Sequence, residues 1–369
     1  MTLLKDIVQI EKGRKYSLLE ENQHGAIRVF QANDFRNENK PLYTFEKDGI
    51  LAEENDIMLV WDGSVGQMGY GRRGYVGSTM VKLTVKNKKQ FSPFFIYRFL
   101  QTKSEYLKRK ATGATIMHIN RKSLEQLEIP ALNLPDQLHI ANLLNKAENL
   151  KSQRKESIRL LDEFLKNTFL EMFGDPVRNE NAWEKDKVIS YTDCIVPGRD
   201  KPKSFTGNIP WFTTEDLIHK GFVTKSKKGL GLSNEEIKEV RARVIPAGSV
   251  LITCVGDLGV ITVCKENCVV NQQLHAFICK EKINNLFLMY ALSFQTNFMY
   301  KKATSTTVPY MNKTTCNSIP VIKPPLSLQT QFAKIVEKTE ALKTQYQKSL
   351  QELENIYSSL SQRAFKVEL

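Results

Sequence analysis

The chain has 369 residues, 41% hydrophobic and 25% charged, with a formal net charge of +13, which leaves room for two or three domains with sizeable cores. No stretch of about 18 apolar residues occurs and the N-terminus lacks a signal-peptide apolar core, so a cytoplasmic protein without a membrane segment is expected. The charge divides as +5 over residues 1–137, +1 over 138–174, +6 over 175–328 and +1 over 329–369, and an excess shared by two segments suits two docking faces for one polyanion, nucleic acid above all, against the blander reading of scattered surface lysines.

Residues from about Lys5 to Pro135 read as a mixed domain of short strands and turns. Apolar β-branched and aromatic residues between Gly, Asn and Asp turns predict strands at Ala26–Phe30, Ile57–Trp61 and Val81–Val85. The run from Gly63 to Gly74 follows no cofactor-loop spacing and predicts hairpin turns with Arg72 and Arg73 at the tip. A helix follows from about Pro93 to Lys110, with Phe94, Tyr97, Leu100 and Leu107 on its apolar face and a basic end at Lys108-Arg109-Lys110. Residues 138–174 predict a long charged helix whose stripe is Ile140, Leu144, Ala147, Ile158, Leu161, Leu165 and Met172. Residues 175–328 predict a second mixed domain, with strands at Val250–Cys254 and His275–Cys279 and a helix from about Asn285 to Lys301. In the closing helix, 329–369, Phe332, Ile335, Thr339, Leu342, Tyr346, Ser349, Leu353, Ile356 and Leu360 alternate spacings of three and four, a heptad seam. A helix of about 35 residues is about 50 Å long. Two such stripes in one chain bury each other most economically as an antiparallel pair, with a dimerisation coil between chains as the rival reading.

The second half of the chain repeats the first. Gly25-Ala26-Ile27-Arg28-Val29-Phe30 with Asp34 matches Gly207-Asn208-Ile209-Pro210-Trp211-Phe212 with Asp216. Asp56-Ile57-Met58-Leu59 running to Gly63 and Gly66 matches Ser249-Val250-Leu251-Ile252 running to Gly256 and Gly259. The offset grows from 182 to 193 between these blocks, the mark of a surface loop of different length. Phe94 and Tyr97 then match Phe287 and Tyr290, Ile119-Asn120 matches Met311-Asn312, and Gln137 matches Gln329. The expected fold is mixed α/β with a pseudo-twofold internal repeat.

Several catalytic signatures are missing from the sequence. There is no Gly-x-x-x-x-Gly-Lys-Ser/Thr phosphate loop, and Lys323-Pro324-Pro325-Leu326 lacks the amide and the aromatic of an amino-methyltransferase tetrad. All six cysteines, Cys194, Cys254, Cys264, Cys268, Cys279 and Cys316, lie in the second half without a Cys-x-x-Cys pair, so reduced, mostly buried thiols are expected rather than a metal site.

Two basic domains, each followed by a Gln-bearing turn (Leu134-Pro135-Asp136-Gln137 and Leu326-Ser327-Leu328-Gln329) and a long helix, resemble the DNA specificity (S) subunit of a type I restriction-modification system. Phe169-Leu170-Glu171-Met172-Phe173-Gly174-Asp175-Pro176 and Gln362-Arg363-Ala364-Phe365 with Glu368-Leu369 carry the likeness further. It departs in Ser327-Leu328-Gln329 and in the lack of a first-half counterpart to the Asn179–Trp183 approach. The resemblance implies two tandem target-recognition domains that each read one half of a split sequence in double-stranded DNA, with the paired helices as a ruler for the gap. It also implies no catalysis by this chain, two methyltransferase subunits as partners, and restriction subunits in the full complex. Any S-adenosylmethionine, ATP and Mg would sit on those partners. Phe169, Met172, Phe173, Ala364 and Phe365 become candidate partner-binding residues.

Arg, Asn and Gln suit purine edges and Lys suits phosphate. On that chemistry the candidate DNA contacts are Arg72, Arg73, Ser78, Lys82, Thr112, Thr115, His118 and Asn120 in the first domain. In the second they are Lys225, Lys227, Lys228, Arg241, Asn271, Gln272, Lys301, Thr304, Tyr310, Asn312 and Lys313. A stand-alone DNA-targeting protein, which would bind tightly alone, and an enzyme with its own active site, which would bind S-adenosylmethionine or cleave DNA alone, are the competing readings.

Overall fold

The computed structural model describes residues 1–35, 40–198, 200–304 and 307–366; the Glu368-Leu369 pair lies outside them. Two compact units divide the chain, one of Met1–Lys155 with Ser349–Leu369 and the other of Glu156–Lys348.

In the first unit, one four-stranded sheet has the order Val8–Lys12, Met80–Val85, Ile57–Val60, Met68–Gly69, with every neighbour antiparallel. A second runs Leu42–Thr44, Ile27–Phe30, Gly74–Val76, Leu51–Ala52, and its central pair is parallel. All four residues of Ile57–Val60 are buried, because the strand is covered on both faces. Ile57 and Leu59 join the main core with Phe95 and Phe99, whereas Met58 and Val60 join a smaller one with Phe30 and Val76.

The second unit repeats this plan. Its main sheet has the order Thr192–Ile195, Leu274–Cys279, Val250–Thr253, Ile261–Cys264, Gly221–Val223. A three-stranded sheet carries the parallel pair Ile209–Phe212 and Val269–Val270. Val250 and Ile252 again face the large core, and Leu251 the smaller one. The cysteines are free; all but the partly buried Cys279 are buried.

Two expectations about local structure are corrected. The Gly63–Gly74 run is not a hairpin carrying Arg72 and Arg73: Met68–Gly69 pairs in one sheet and Gly74–Val76 in the other. The chain crosses between sheets there, through Gly71 at φ +76°, a conformation open to glycine. Each predicted helix after the sheet is two helices, Pro93–Thr102 with Ser104–Lys110, and Asn285–Ser293 with Thr296–Lys302. Thr102 Oγ1 donates to the Phe99 carbonyl and Ser293 Oγ to the Tyr290 carbonyl, each at 2.7 Å, and such bonds compete with helical ones. Beyond the break, Ser104 Oγ donates to the Gly66 carbonyl at 3.0 Å, placing the second helix against the tight turn at Gly63 and Gly66.

The long helices are Leu134–Phe173 and Leu326–Lys366, and they pair within the chain, antiparallel. In the first unit Lys151 lies 4.2 Å over the Tyr357 ring and Lys155 lies 3.2 Å from Glu354. In the second, Asp162 pairs with Lys343 at 2.6 Å and Phe169 with Phe332 at 5.3 Å. The seam is displaced from the expected one. Phe332, Val336, Thr339, Lys343, Ser361 and Ala364 are buried, while Leu342 is 36% and Ile356 52% exposed. A straight helix repeats every 3.6 residues and drifts off a strict heptad by about 20° per repeat, and the Lys343 stem lies along the apolar surface while its amine meets Asp162.

One residue fastens each long helix at its start. Gln137 is fully buried; its Oε1 accepts from the Ser92 N–H, and its Nε2 donates to the Gln90 and Leu132 carbonyls, all at 2.9 Å. Gln329 does the same with the Asn284 N–H at 2.8 Å and the Lys282 and Pro324 carbonyls at 3.4 and 2.8 Å. Replacing either by Ala strands three backbone groups. Each variant is expected to lose about 3 kcal/mol from its own unit, measured as a lower denaturant midpoint for that unit; an unshifted midpoint would show that the contacts carry no weight.

Candidate nucleic-acid interface

All but three of the sequence candidates fall into four neighbourhoods. The most regular is a finger that closes each domain beyond its second short helix. In the first domain Thr112 and His118 exchange backbone bonds of 2.9 and 2.6 Å, the Gly63 N–H donates to the Met117 carbonyl at 2.8 Å, and the Ile119 N–H to the Trp61 carbonyl at 2.9 Å. In the second, the Thr304 N–H donates to the Tyr310 carbonyl at 3.0 Å, and the Gly256 and Met311 N–H groups donate to the Pro309 and Cys254 carbonyls, each at 2.9 Å. Thr112, Thr115 and His118, and Thr304 and Tyr310, are exposed. Apolar residues the sequence reading did not single out share the tips: Ile116 is 54% and Met117 40% exposed, and Val308 49%. Lys108, Arg109 and Lys110 lead into the first finger, as Lys301 and Lys302 lead into the second.

Asn120 and Asn312 sit at the base of the fingers and work as helix caps, accepting from the Ser123 N–H at 3.0 Å and the Thr315 N–H at 2.9 Å. Lys313 is exposed in the first turn of the helix that Asn312 caps.

The second neighbourhood is a turn of the second domain. The Lys227 N–H donates to Asp216 at 2.6 Å, its amine donates to the Glu215 carbonyl, and Lys228 pairs with Glu215 at 2.7 Å; Lys225 is exposed beside them. The third is a cavity of about 450 Å³ lined by Lys201, Phe205, Trp211, Asn271 and Gln272. Asn271 donates to Gln273 at 3.1 Å and Gln272 to the Gly198 carbonyl at 3.3 Å. The fourth is the crossing between the first domain's sheets, where Arg72 lies 6.0 Å from the Phe35 ring centre and Arg73 pairs with Glu53 at 3.0 Å. Three candidates stand apart. Lys82 pairs with Glu11 at 2.7 Å with its side chain only 14% exposed, Ser78 is half-buried, and Arg241 is exposed at φ 49°.

Sequence reasoning missed Asp62. It lies in the bend after Ile57–Val60, 2.7 Å from His118 Nδ1 and 2.7 Å from Lys12 Nζ. Burial acts to raise its pKa, but the hydrogen bonds from His118 and Lys12 outweigh it and hold the carboxyl below its ordinary value. No signal marked Asp62 in the sequence, because its partners lie 50 and 56 residues away.

The candidate partner-binding residues are corrected. Phe169, Phe173 and Ala364 have no exposure, and Met172 and Phe365 pack against the same cores. Phe173 meets Phe287 at 4.8 Å and Phe365 meets Phe99 at 5.3 Å. They finish the domain cores because apolar aromatics gain most by leaving water. The exposed large apolar residues of the long helices are instead Leu138, Leu150 and Ile356 in the first unit, and Leu160, Phe164, Leu326 and Leu342 in the second.

No group of three metal-binding side chains occurs among the described residues, and none of their helices is long and apolar enough to cross a membrane. A family model described as type I restriction modification DNA specificity domain matches residues 2–160 and 197–355. The type I restriction enzyme MjaVIII specificity subunit of Methanocaldococcus jannaschii is 22% identical over 361 residues, covering 91% of this chain and 85% of the relative. The MjaIX specificity subunit of the same organism is 25% identical over 188 residues, covering 50% of this chain and 44% of that one. The fold matches a crystal structure of a type I restriction-modification S subunit from M. genitalium with a TM-score of 0.65 at 18% identity, covering 99% of this chain and 95% of the other.

Because Asn120 and Asn312 hold helix starts, Asn120→Ala and Asn312→Ala should each cost about 1 kcal/mol of stability, read from unfolding midpoints. Unchanged midpoints would free these side chains for a role on the surface.

Proposed function

The chain belongs to the type I restriction-modification DNA specificity family, and from that premise we propose how it divides the work of recognition. As a specificity subunit it contributes DNA binding and no catalysis. Each domain reads one half of a split sequence, and the paired long helices set the gap between the halves. The observation that carries this reading is the pair of fingers, alike in backbone bonding and different at the tip, with Met117 and His118 where the other has Pro309 and Tyr310. A common framework with different reading side chains suits two half-sites of different sequence, while lysines and arginines neutralise phosphates and set register. Family membership counts against the alternative of a stand-alone targeting protein.

Methyltransferase and restriction subunits are the partners that the family implies. Two copies of the methyltransferase would dock on the long helices, where Leu150 repeats as Leu342 and Phe164 as Ile356, all exposed. Each unit carries one residue of each repeated pair, which suits two copies of one partner. S-adenosylmethionine, ATP and Mg would belong to those subunits, and the complex would act in the cytoplasm.

The test is methylome sequencing of cells that express the chain with its methyltransferase partner. A split motif that disappears when the chain is deleted supports the reading, and no new methylation overturns it when that methyltransferase is active with another specificity subunit. Exchanging residues 175–328 for those of another such subunit should change one half of the motif and leave the other; a change in both halves would sink the two-reader scheme. Leu150→Ser with Ile356→Ser, both in the first unit, should remove one of the two methyltransferase copies recovered with the chain, read by size-exclusion chromatography, with both copies retained refuting that docking site.

A further inference from the structure

We propose that His118 reads one base pair of the half-site bound by the first domain and that Asp62, with Lys12 behind it, is its positioning residue; this rests on the DNA-reading role proposed above.

The ring is set for that task. Asp62 Oδ1 lies 2.7 Å from His118 Nδ1 and Oδ2 lies 2.7 Å from Lys12 Nζ. A carboxylate can only accept, so Nδ1 carries the proton, and the tautomer and ring orientation are fixed together. Nε2 has no hydrogen-bond partner among the described residues, and the side chain is 49% exposed. One nitrogen is thus held outward on a finger whose tip also exposes Ile116 and Met117 and which follows directly from Lys108-Arg109-Lys110. The basic run suits phosphate, the apolar tip suits a thymine methyl, and a single oriented ring nitrogen suits a base edge in the major groove.

A purely structural role for the pair is answered by the second domain. There the equivalent isolated bridge joins Val255 to Tyr310, as Asp62 is joined to His118 in the first. The second finger closes through three matching backbone bonds, Thr304 to Tyr310, Gly256 to Pro309 and Met311 to Cys254, with no carboxylate at the position of Asp62, which is Val255. The Lys12–Asp62–His118 chain is therefore dispensable for closing a finger. What it adds is a fixed imidazole in one domain only, which makes one half-site differ from the other.

The experiment uses the full chain assembled with its methyltransferase subunits, acting on a DNA library randomised at every base pair of the two half-sites, with methylation read by sequencing. His118→Ala should relax the preference at one base pair of one half-site by about tenfold, and Asp62→Ala should relax the same base pair. Asp62→Asn, whose amide oxygen still accepts from Nδ1, should restore it, and the other half-site should be unchanged throughout. Weaker methylation of all sequences alike would make His118 a phosphate contact and overturn the proposal. An unchanged preference in His118→Ala, or relaxation in both half-sites, would also overturn it. A wild-type complex that yields no split motif refutes the proposed function itself, whereas a wild-type motif left intact by His118→Ala refutes only this inference.

Discussion

Each long helix enters its domain through one buried glutamine, and the geometry of the rest follows from that attachment. A glutamine side chain offers one carbonyl acceptor and two N–H donors. Gln137 spends all three on an N–H at the start of one helix and on carbonyls of two different loops. Glutamate would lack the donors, and lysine the acceptor. Gln329 makes the same set, and its partners lie at the same chain separations of 45, 47 and 5 residues as those of Gln137. A buried side chain whose acceptor and both donors are engaged fixes direction as well as position, so the helix leaves the domain along one line.

The far ends are held by packing. The first unit takes Ala364 and Phe365 from the close of the second long helix, and the second takes Phe169 and Phe173 from the close of the first. The repeat in the sequence, a domain followed by a helix, is therefore not the unit in space, which is a domain with part of both helices. Phe169 illustrates the strength of the closure. It lies between Phe173, Phe287, Phe294 and Phe332, with ring centres 4.9 to 5.6 Å away, and removing such a side chain typically costs about 3–5 kcal/mol.

This difference between sequence repeat and spatial unit explains what could and could not be read beforehand. Mixed α/β domains, long paired helices and the family were legible because they rest on local periodicity and on the match of one half with the other. The Phe169–Phe173 motif was visible as a pattern, but whether it faced a partner or a core depends on Phe287 and Phe332, more than a hundred residues away in the chain. The Arg72–Arg73 turn was misread for a related reason: flanking strands of similar composition do not reveal that they belong to separate sheets. Asp62 was invisible as a site residue, since one carboxylate in a bend gains meaning only from Lys12 and His118. Leu342 and Ile356 followed the heptad on paper, and the polar node at Lys343, Asp162 and Glu340 took the buried stripe to the next column.

The two fingers show how such a chain separates what must stay constant from what can change. Their closure rests on backbone groups, which every residue except proline's missing N–H supplies alike, so closure does not dictate which side chains stand at the tips. The surroundings differ accordingly. In the second domain Tyr300 accepts from the Leu258 N–H at 3.2 Å and braces the turn beneath the finger. In the first, a cavity of about 270 Å³ lined by Gly63, Gln67, Lys108 and Met117 opens at the matching place, and Asp62, paired with Lys12, holds the His118 ring instead. The glycines of the turn are shared, with φ of +82° and +83° at Gly63 and Gly66 and +78° and +82° at Gly256 and Gly259. Constraint therefore sits in the turn and the glutamine, and variation sits at the tip and its brace. A change of recognition can then proceed one domain at a time, because nothing that holds one domain together depends on what its twin reads.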